Sequence, residues 1–420
     1  MNILLISQNY LPFVGGIETQ VRLVANKLAE RHGVTVAAGN FAPCRLPRRL
    51  GVLHTSMLAP AYAGYRDGKV WVEALTPDFK DRLRMLPVAV RAVPGLQRCT
   101  YHGLHRLGYR AYRSVYLPRF RRLMKNTDVV HAHAGSYIAW AAWEAAHQLG
   151  LPFVCTPYVH PKQWGDGPED IAFYRRCDAV IGLLESDRRN LRDSGVPESL
   201  LHTIGVIPSV APNPKPEEFR REHGLEGKPI VLYVGRLVTY KGAQAILKAA
   251  PKVWKEFPEA RFVFIGPAGE TEAAWFTQSD PRILYLGKRS DEEKSDALAA
   301  CDVFCMPSVS EILPTVYLEA WSYGKPVVGG KAPGLPELVE GNDAGITVDQ
   351  TPESISRALI HLLHDPILCA HYGRQGQTLV THKYSLEAVS SQTEALYEHL
   401  IREKASNRDF HDRQYGIVAL

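Results

Sequence analysis

The chain has 420 residues, of which 45% are hydrophobic and 22% charged, and its formal net charge is +5. This length exceeds one ordinary hydrophobic core and suits two domains, and the composition excludes a collagen-like, low-complexity or largely disordered chain. The seven cysteines are odd in number and scattered, which excludes a disulfide framework. No apolar run approaches the ~18 residues of a membrane-spanning helix, and the N-terminal MNILLIS lacks the features of a signal peptide. We therefore expect a cytoplasmic protein.

Strand-like apolar runs alternate with helix-like stretches along the first half of the chain. Such alternation predicts a parallel sheet with helices on both of its faces. The strand-like runs are 2–7, 34–38, 128–133, 152–156 and 178–183, and helical patterns cover 17–32, 137–149 and 186–194.

The proline-dense segment 207–219 interrupts this pattern and predicts a linker, because proline at such density does not fit inside a sheet or helix. The alternation then restarts, with strand-like runs at 229–235, 261–266, 282–287, 302–308 and 326–330 and helical patterns at 243–257, 291–300 and 315–323. We predict an α/β fold with two Rossmann-like domains, residues 1–208 and 213–385. A last helix, about 386–420, is expected to pack back on the first domain.

Two cations follow the first strand of the second domain. Arg236 and Lys241 lie in the sequence RLVTYKG, in one loop between a strand and a helix. Ligands of open parallel sheets bind beyond the carboxyl ends of the strands, and a helix N-terminus adds its dipole and free amides to the two charges. The pattern predicts a diphosphate site. Two exposed surface cations without a ligand are the alternative.

Two carboxylates follow the strand-like run 302–308. Glu311 lies in the loop before a helix, Pro314 and Thr315 form a suitable helix start, and Glu319 lies inside that helix. The free amides at Thr315 would face an anion. A carboxylate accepts two hydroxyl hydrogen bonds at once, as a ribose or hexose offers. Glu319 as an ordinary helix glutamate is the alternative, but a lone carboxylate in so apolar a helix would be costly.

The first domain offers histidines and a glycine pair after its strands. His131 and His133 end the strand-like run 128–133, share one face of it and lack further ligands at zinc spacing, so we favour hydrogen bonding to a substrate over a metal site. His160 follows the next strand, where a structural role is equally compatible with the sequence. Gly15 and Gly16 precede a helix and would allow a substrate to approach the backbone closely.

The segment Arg82–Lys125 contains eleven Arg or Lys and no Asp or Glu, so the rest of the chain carries a net charge of −6. Aromatic residues are interleaved with these cations, and this combination favours contact with an anionic membrane surface. In that case the protein would be peripheral on the inner face of the membrane. A solvated basic surface is the alternative. We expect no nucleic-acid partner, because no recognisable nucleic-acid-binding module accompanies the charge.

Taken in order, these motifs resemble the large family of retaining glycosyltransferases with the GT-B fold and an E-x7-E motif (glycosyltransferase family 4, group 1 type). The resemblance covers nearly the whole chain. It is carried by P-x-x-GG-x-E at Pro12–Glu18, HAH at 131–133, VGRLVTYKG at 234–242, the pair Glu311 and Glu319, and the following GKPVV and GLPELV. It implies two Rossmann-like domains that face each other across a cleft, with the donor on the second domain and the acceptor on the first.

The resemblance implies roles for the residues of the second domain. Arg236 and Lys241 would bind the diphosphate of a nucleotide sugar, a UDP- or GDP-sugar, and stabilise it as it leaves. Glu319 would bond the ribose and Glu311 the hydroxyls of the donor sugar. The family retains the anomeric configuration without a metal, and the chain shows no acidic pair suited to Mg²⁺. We accordingly expect no cofactor.

On the first domain, the resemblance implies that His133 bonds the sugar or the reacting centre. Gly15 and Gly16 would lie by the phosphate and the acceptor, and His160 near the acceptor. The sequence departs from the family where Ile312-Leu313-Pro314 replaces a Gly-aromatic-Gly run and Ser209–Pro212 replaces an Asn-Gly-x-Asp segment.

Three hypotheses follow from the sequence. The first is transfer of a hexose to a hydroxyl of a lipid-linked or anionic glycan precursor in cell-envelope polysaccharide synthesis, which the basic segment favours. The second is a soluble enzyme that glycosylates a small metabolite. The third is a noncatalytic nucleotide-sugar-binding relative, which only the Ile312-Leu313-Pro314 departure favours.

Overall fold

The computed structural model describes residues 1–12, 15–40, 62–89, 103–160, 164–277 and 280–415. These residues form two compact units. The first unit comprises residues 1–182, 188–204 and 389–420, and the second comprises 183–187 and 205–388.

The first unit is built on an eight-stranded sheet in the order β3-β4-β2-β1-β5-β6-β7-β8, parallel except for the pair β3–β4. Its central strands β5, β6 and β7 are buried along their whole length, as expected for parallel strands covered by helices. The strands are β1 (Asn2–Asn9), β2 (Gly33–Asn40), β3 (Tyr65–Asp67), β4 (Val70–Ala74), β5 (Val129–His133), β6 (Phe153–Thr156), β7 (Ala179–Gly182) and β8 (Leu201–Thr203).

Helices accompany this sheet, and α7 lies across the division between the two units. The helix over 137–149 has the predicted bounds, because Gly150 adopts a left-handed conformation (φ 64°) that ends it. The helices are α1 (Gly16–Leu28), α2 (Phe79–Arg84), α3 (Leu86–Ala89), α4 (Gly103–Leu123), α5 (Tyr137–Leu149), α6 (Pro168–Tyr174) and α7 (Glu185–Asp193).

The second unit is built on a six-stranded, wholly parallel sheet in the order β11-β10-β9-β12-β13-β14. Strands β9 and β12 are central and fully buried, and the buried thiols of Cys301 and Cys305 lie in this core. The strands are β9 (Ile230–Val234), β10 (Arg261–Ile265), β11 (Ile283–Gly287), β12 (Val303–Met306), β13 (Val327–Gly330) and β14 (Gly345–Val348).

One helix of the second unit begins inside the predicted linker 207–219. Helix α8 starts at Pro216, and proline is tolerated in the first turn because its missing N–H has no helical partner there. The helices are α8 (Pro216–Glu222), α9 (Ala243–Val253), α10 (Glu270–Ala273), α11 (Asp291–Ala300), α12 (Thr315–Ser322), α13 (Leu335–Val339), α14 (Pro352–His364) and α15 (Pro366–Leu379).

The last helix, α16 (Leu386–Tyr415), belongs to the first unit from Val389 onward. Glu394 on this helix accepts from Arg31 (2.6 Å) and pairs with His32 (2.7 Å) near the end of the first helix. Within the described ranges, no helix combines the length and apolar composition that crossing a bilayer requires.

In the basic segment, the aromatic residues are not placed as the predicted membrane contact requires. Tyr112, Tyr116 and Phe120 on α4 are buried in the core of the first unit, so they are not available to a bilayer. Part of the charge is also compensated, because Arg119 pairs with Asp81 and Arg113 pairs with Glu144. The aromatic residues interleaved with arginine therefore mark the buried face of a surface helix. Tyr101, another aromatic residue of the basic segment, lies outside the described residues.

Candidate functional site

The carboxyl end of the second sheet carries the predicted cationic loop. After β9, the chain forms a short 3₁₀ turn at Thr239–Lys241 and then enters α9. Lys241 Nζ lies 2.7 Å from Glu311 Oε1, and both side chains are largely buried. The structure thus brings together two of the predicted site residues, which are 70 positions apart in sequence.

A close approach of two loops holds this pair. Gly242 has φ 88°, and a Cβ there would lie 2.6 Å from Pro307, so glycine is required. Ser308 Oγ lies 3.1 Å from Glu311 Oε1, and the amide of Gln350 donates to the carbonyls of Tyr240 and Pro307, at 2.9 Å each. These hydrogen bonds fix the backbone on both sides of the ion pair.

Arg236 is exposed on the same loop, where its Nη2 donates to Tyr240 Oη at 2.9 Å. Thr315 is the first residue of α12, as predicted, and Pro314 occupies the N-cap. Because the first amides of a helix have no partner within it, they remain available to an acceptor at this end.

Glu319 has a different partner from Glu311. It lies on α12 with its side chain 7% exposed, and Lys294 Nζ on α11 donates to its Oε2 at 3.0 Å. Burial raises the pKa of Glu319 above its ordinary value, and the Lys294 ammonium acts in the opposite direction. From the sequence, Glu319 has no recognisable partner in its apolar helix. The structure shows that Lys294 is its partner, a residue that the sequence analysis did not identify.

The first unit contains a cavity of about 330 Å³ at the carboxyl ends of β1, β5 and β6. Its lining mixes apolar and polar groups, and among the described residues it includes one carboxylate, that of Glu18, whose Oε1 accepts from Asn9 Nδ2 at 2.8 Å. The cavity is lined by Ser7, Gln8, Asn9, Ile17, Glu18, His133, Ala134, Gly135, Pro157, Tyr158, Trp164 and Gly165.

His133 presents an unused nitrogen at this cavity. Its Nδ1 lies 3.2 Å from Tyr158 Oη, whereas its buried Nε2 has no hydrogen-bond partner among the residues that the structure describes. Burial lowers the pKa of His133 to about 3, so the ring is neutral at physiological pH. If the Tyr158 hydroxyl donates to Nδ1, Nε2 carries the proton and can donate to a ligand oxygen.

His131 shares the strand but not this property. Its Nδ1 contacts Tyr397 Oη of α16 at 2.6 Å and its Nε2 contacts Thr156 Oγ1 at 2.8 Å, so both nitrogens serve the fold. The expectation that both histidines bind a substrate is therefore corrected for His131. Its ring lies 4.1 Å from that of His133 and supports it.

Two residues on the cavity wall adopt a left-handed backbone that side chains disfavour. Ala134 has φ 76° and Tyr158 has φ 52°. Such strain costs of order 1–3 kcal/mol and is concentrated at ligand sites. It turns the chain directly after β5 and places the Tyr158 hydroxyl against His133.

The remaining predicted residues border this region. Gly15 is the N-cap of α1, and a side chain at Gly16 would meet open space, so Gly16 is not required by packing. His160 is half-buried and its ring contacts the edge of Trp164 at 4.7 Å. Within the described ranges, no group of three or more His, Cys, Asp or Glu is placed to hold a metal ion. The predicted metal independence stays a prediction.

Comparisons with known proteins bear on this arrangement. A family model described as "Glycosyl transferases group 1" matches residues 215–379, and one described as "Glycosyl transferase 4-like domain" matches residues 15–206. A GDP-mannose-dependent alpha-(1-6)-phosphatidylinositol monomannoside mannosyltransferase of Mycolicibacterium smegmatis is 32% identical over 65% of this chain and 79% of its own length. The chain belongs to the group 1 glycosyl transferases. The predicted family, and with it the prediction of a glycosyltransferase, is confirmed.

Other relatives of this group 1 glycosyl transferase match over shorter stretches. A sulfoquinovosyl transferase of Arabidopsis thaliana is 30% identical over 52% of this chain and 46% of its own length. An alpha-D-kanosaminyltransferase of Streptomyces kanamyceticus is 28% identical over 54% of this chain and 61% of its own length. The chain thus spans less than two thirds of these two relatives.

Solved structures confirm the predicted GT-B fold. Anabaena HepE in complex with UDP superposes with a TM-score of 0.68 at 17% identity, covering 95% of this chain and 100% of that one. Sucrose-phosphate synthase from Thermosynechococcus elongatus gives 0.68 at 17% identity, covering 96% and 99%. At such identities the likeness concerns the fold alone.

Proposed function

We propose that the protein transfers a hexose or related sugar from a nucleoside diphosphate sugar to a hydroxyl acceptor. The observation that carries the proposal is the Lys241–Glu311 pair at the carboxyl end of the second sheet, in a chain of this family. Lys241 and Arg236 are the fixed positive groups that a departing diphosphate requires, because preorganised charge stabilises negative charge that develops in a transition state. Glu311 accepts hydrogen bonds from hydroxyls of the donor sugar.

The donor nucleotide engages α12 in this proposal. Glu319 accepts hydrogen bonds from the ribose hydroxyls, and the first amides of α12 at Thr315 face phosphate oxygens. A UDP- or GDP-sugar is the proposed donor. UDP is bound in the structure of HepE, and several relatives are named GDP-mannose-dependent.

On the first unit, His133 Nε2 donates to an oxygen of the sugar being transferred, and Gly16 permits close approach of a phosphate. Gly15 and His160 lie on the acceptor side. The neutral His133 ring is suited to an uncharged hydroxyl, because it donates a hydrogen bond without adding a charge to the cavity. Glu18 is the acidic side chain in the lining of this cavity.

Transfer proceeds with retention and without a metal in this proposal. The bond between the anomeric carbon and the phosphate oxygen breaks, the acceptor oxygen bonds to the same face of that carbon, and the acceptor proton passes to the departing phosphate. Arg236 and Lys241 stabilise the diphosphate during this step. In this step no residue of the protein forms a covalent bond to the sugar.

A lipid-linked or anionic glycan precursor is the proposed acceptor, which places the protein at the inner face of a membrane in envelope polysaccharide synthesis. The support is the basic segment and the name of the mycolicibacterial relative, whose acceptor carries phosphatidylinositol.

The test measures nucleoside diphosphate release from UDP- and GDP-sugars by the purified protein, with lipid extracts as acceptors and with excess EDTA. We expect release to depend on acceptor and to survive EDTA, and the product anomer seen by NMR to match the donor. Nucleotide binding without any release would instead favour a noncatalytic relative, and turnover only with small soluble alcohols would favour a metabolite enzyme.

A further inference from the structure

Three large apolar side chains are exposed within one short helical segment of the first unit. Phe79, Leu83 and Leu86 retain 76%, 51% and 50% of their surface in contact with solvent. We call these three residues the apolar patch. Phe79 and Leu83 are four positions apart in α2, and Leu86 begins α3, so the three project to neighbouring positions. Isolated exposed apolar residues are ordinary, but contiguous ones mark an interaction surface.

The exposure of the apolar patch is fixed by the opposite side of the same segment. Asp81, Met85 and Val88 are buried there. Arg119 of α4 pairs with Asp81 and donates to the carbonyl of Thr76 at 2.9 Å. Turning the patch inward would expose Met85 and Val88 and break this buried ion pair.

Cations surround the apolar patch in sequence. Lys80 and Arg84 follow Phe79 and Leu83 directly and are exposed. On α4, which packs against α2 through Arg119, Arg110 and Arg122 are exposed, whereas the exposed Arg113 and Arg121 are bonded to Glu144 and Gln148 of α5. Apolar side chains flanked by cations complement a surface that is anionic outside and apolar beneath.

A bilayer fits this surface better than a protein partner does. A stable protein interface uses roughly 20–30 residues a side, whereas a lipid surface can be held by a few inserted side chains and a cationic rim. The cations also favour anionic lipid, because each one near such a surface adds attraction that salt screens.

We propose that the apolar patch inserts into the headgroup region of an anionic bilayer, with Lys80 and Arg84 among the lipid phosphates. This assigns insertion to Phe79, Leu83 and Leu86, and not to the buried tyrosines of α4. The benefit of insertion rests on the proposed function, since a lipid-linked acceptor would then lie at the surface that holds the enzyme. The contact itself does not depend on catalysis.

The experiment is co-sedimentation of the full-length protein with phosphatidylcholine vesicles that contain or lack phosphatidylglycerol. The triple variant Phe79→Ser/Leu83→Ser/Leu86→Ser should lower the fraction bound to anionic vesicles by roughly ten-fold or more, since membrane affinity follows buried apolar area. The matched control is Ile367→Ser, which removes an 81% exposed side chain from the second unit and should bind as the wild type does. Lys80→Gln/Arg84→Gln should weaken binding and reduce its dependence on salt.

A Phe79→Trp variant supplies a direct readout, because insertion should shift its fluorescence to the blue only with anionic vesicles. Equal binding of the triple variant and wild type, or no binding of the wild type at low salt, overturns the proposal. A wild-type dimer that the triple variant abolishes, without vesicle binding, would assign the patch to a second copy of the chain. Nucleoside diphosphate release is measured on the same samples, so failure of membrane binding and failure of the proposed function are told apart.

Discussion

The carboxyl ends of the two sheets satisfy their polar groups in opposite ways. In the second unit, charges are paired: Lys241 with Glu311 and Lys294 with Glu319. In the first unit, the central group is a neutral imidazole, and the buried His133 Nε2 has no partner within the described part of the chain. A ligand of the second unit must therefore exchange existing ion contacts, whereas a ligand of the first can use a nitrogen that no described residue bonds.

This difference assigns different ligand chemistry to the two units. Compensated charges cost little in the absence of ligand and can be redirected toward a phosphate, because lysine has three donors and only one is used by Glu311. An unpaired neutral donor carries a desolvation cost of about 1–3 kcal/mol that a hydroxyl of the substrate can relieve. Both the paired charges of the second unit and the neutral His133 of the first can be tested by substitution.

The largest effect is expected from the buried pair in the second unit. Lys294→Met leaves the Glu319 carboxylate buried without its charged partner, with only the Ser209 amide donating to it at 3.4 Å, and should lower the free energy of unfolding by about 3–5 kcal/mol. The double variant Lys294→Met/Glu319→Leu should recover most of that loss in urea denaturation, yet fail to bind nucleotide. If both variants are equally destabilised, the pair does not act as a unit.

The next effect concerns Lys241. Lys241→Ala should lower the rate of transfer by roughly 10²-fold or more, as loss of one charge-stabilising donor does. It also leaves Glu311 without its cationic partner, so the rate is measured at a temperature at which the variant is shown to be folded. Lys252→Ala is the matched control, because Lys252 pairs with Glu353 at the surface of the same unit. Near-normal turnover of Lys241→Ala would remove the cationic loop from the reaction.

The neutral histidine of the first unit should be visible in the dependence of stability on pH. The unfolded chain binds a proton at His133 near pH 6.5, whereas burial lowers its pKa in the fold to about 3. Between these values the unfolded state binds more protons, so stability falls as pH drops below about 6.5, by about 1.4 kcal/mol per pH unit for this residue.

Urea denaturation between pH 7 and pH 5 measures this slope. His133→Asn should make it shallower, while His382→Asn, which replaces an exposed histidine, should leave it unchanged. An unchanged slope in His133→Asn would mean that the ring titrates in the fold as it does in water.

The smallest effect is expected from Tyr158→Phe. Loss of its hydroxyl frees His133 Nδ1 and should lower transfer by about 3–10-fold, since one hydrogen bond contributes about 0.5–1.5 kcal/mol. Tyr109→Phe, which removes a hydroxyl bonded to Glu144 outside the cavity, should not affect transfer. Equal rates in both variants would show that Tyr158 does not orient the imidazole.

The sequence predicted most of the regular structure because the signals for it are local. Strands such as 261–266 follow from short apolar runs, and the helix over 291–300 has a local start, because Ser290 forms a capping box with Glu293. The short strands β3, β4, β8 and β14 were missed, because runs of three to five residues carry little periodicity. The aromatic residues of the basic segment were misread as interfacial, because periodicity did not reveal that Tyr112, Tyr116 and Phe120 share the buried face.

The partners in the candidate site were not predictable from local sequence. Lys294 lies in an acidic, exposed-looking helix, and nothing near it indicates Glu319. Tyr397 contacts His131 across 266 positions of chain. Tyr158 was visible only as one residue of a loop. In each case the tertiary fold supplies the neighbour, so residue type identifies the candidate while its contacts decide the role.

The location of the last helix has a consequence for how the protein is made. Tyr397, which is fully buried, completes the hydrogen bonding of His131 in a strand that emerges from the ribosome some 260 residues earlier. The earlier part of a nascent chain ordinarily folds first. Here the first unit stays unfinished until the second has been synthesised, with His131 Nδ1 unpaired and the neighbouring His133 unsupported in the interval. Competence for His133 to bind a ligand would thus appear only after the last helix has been synthesised.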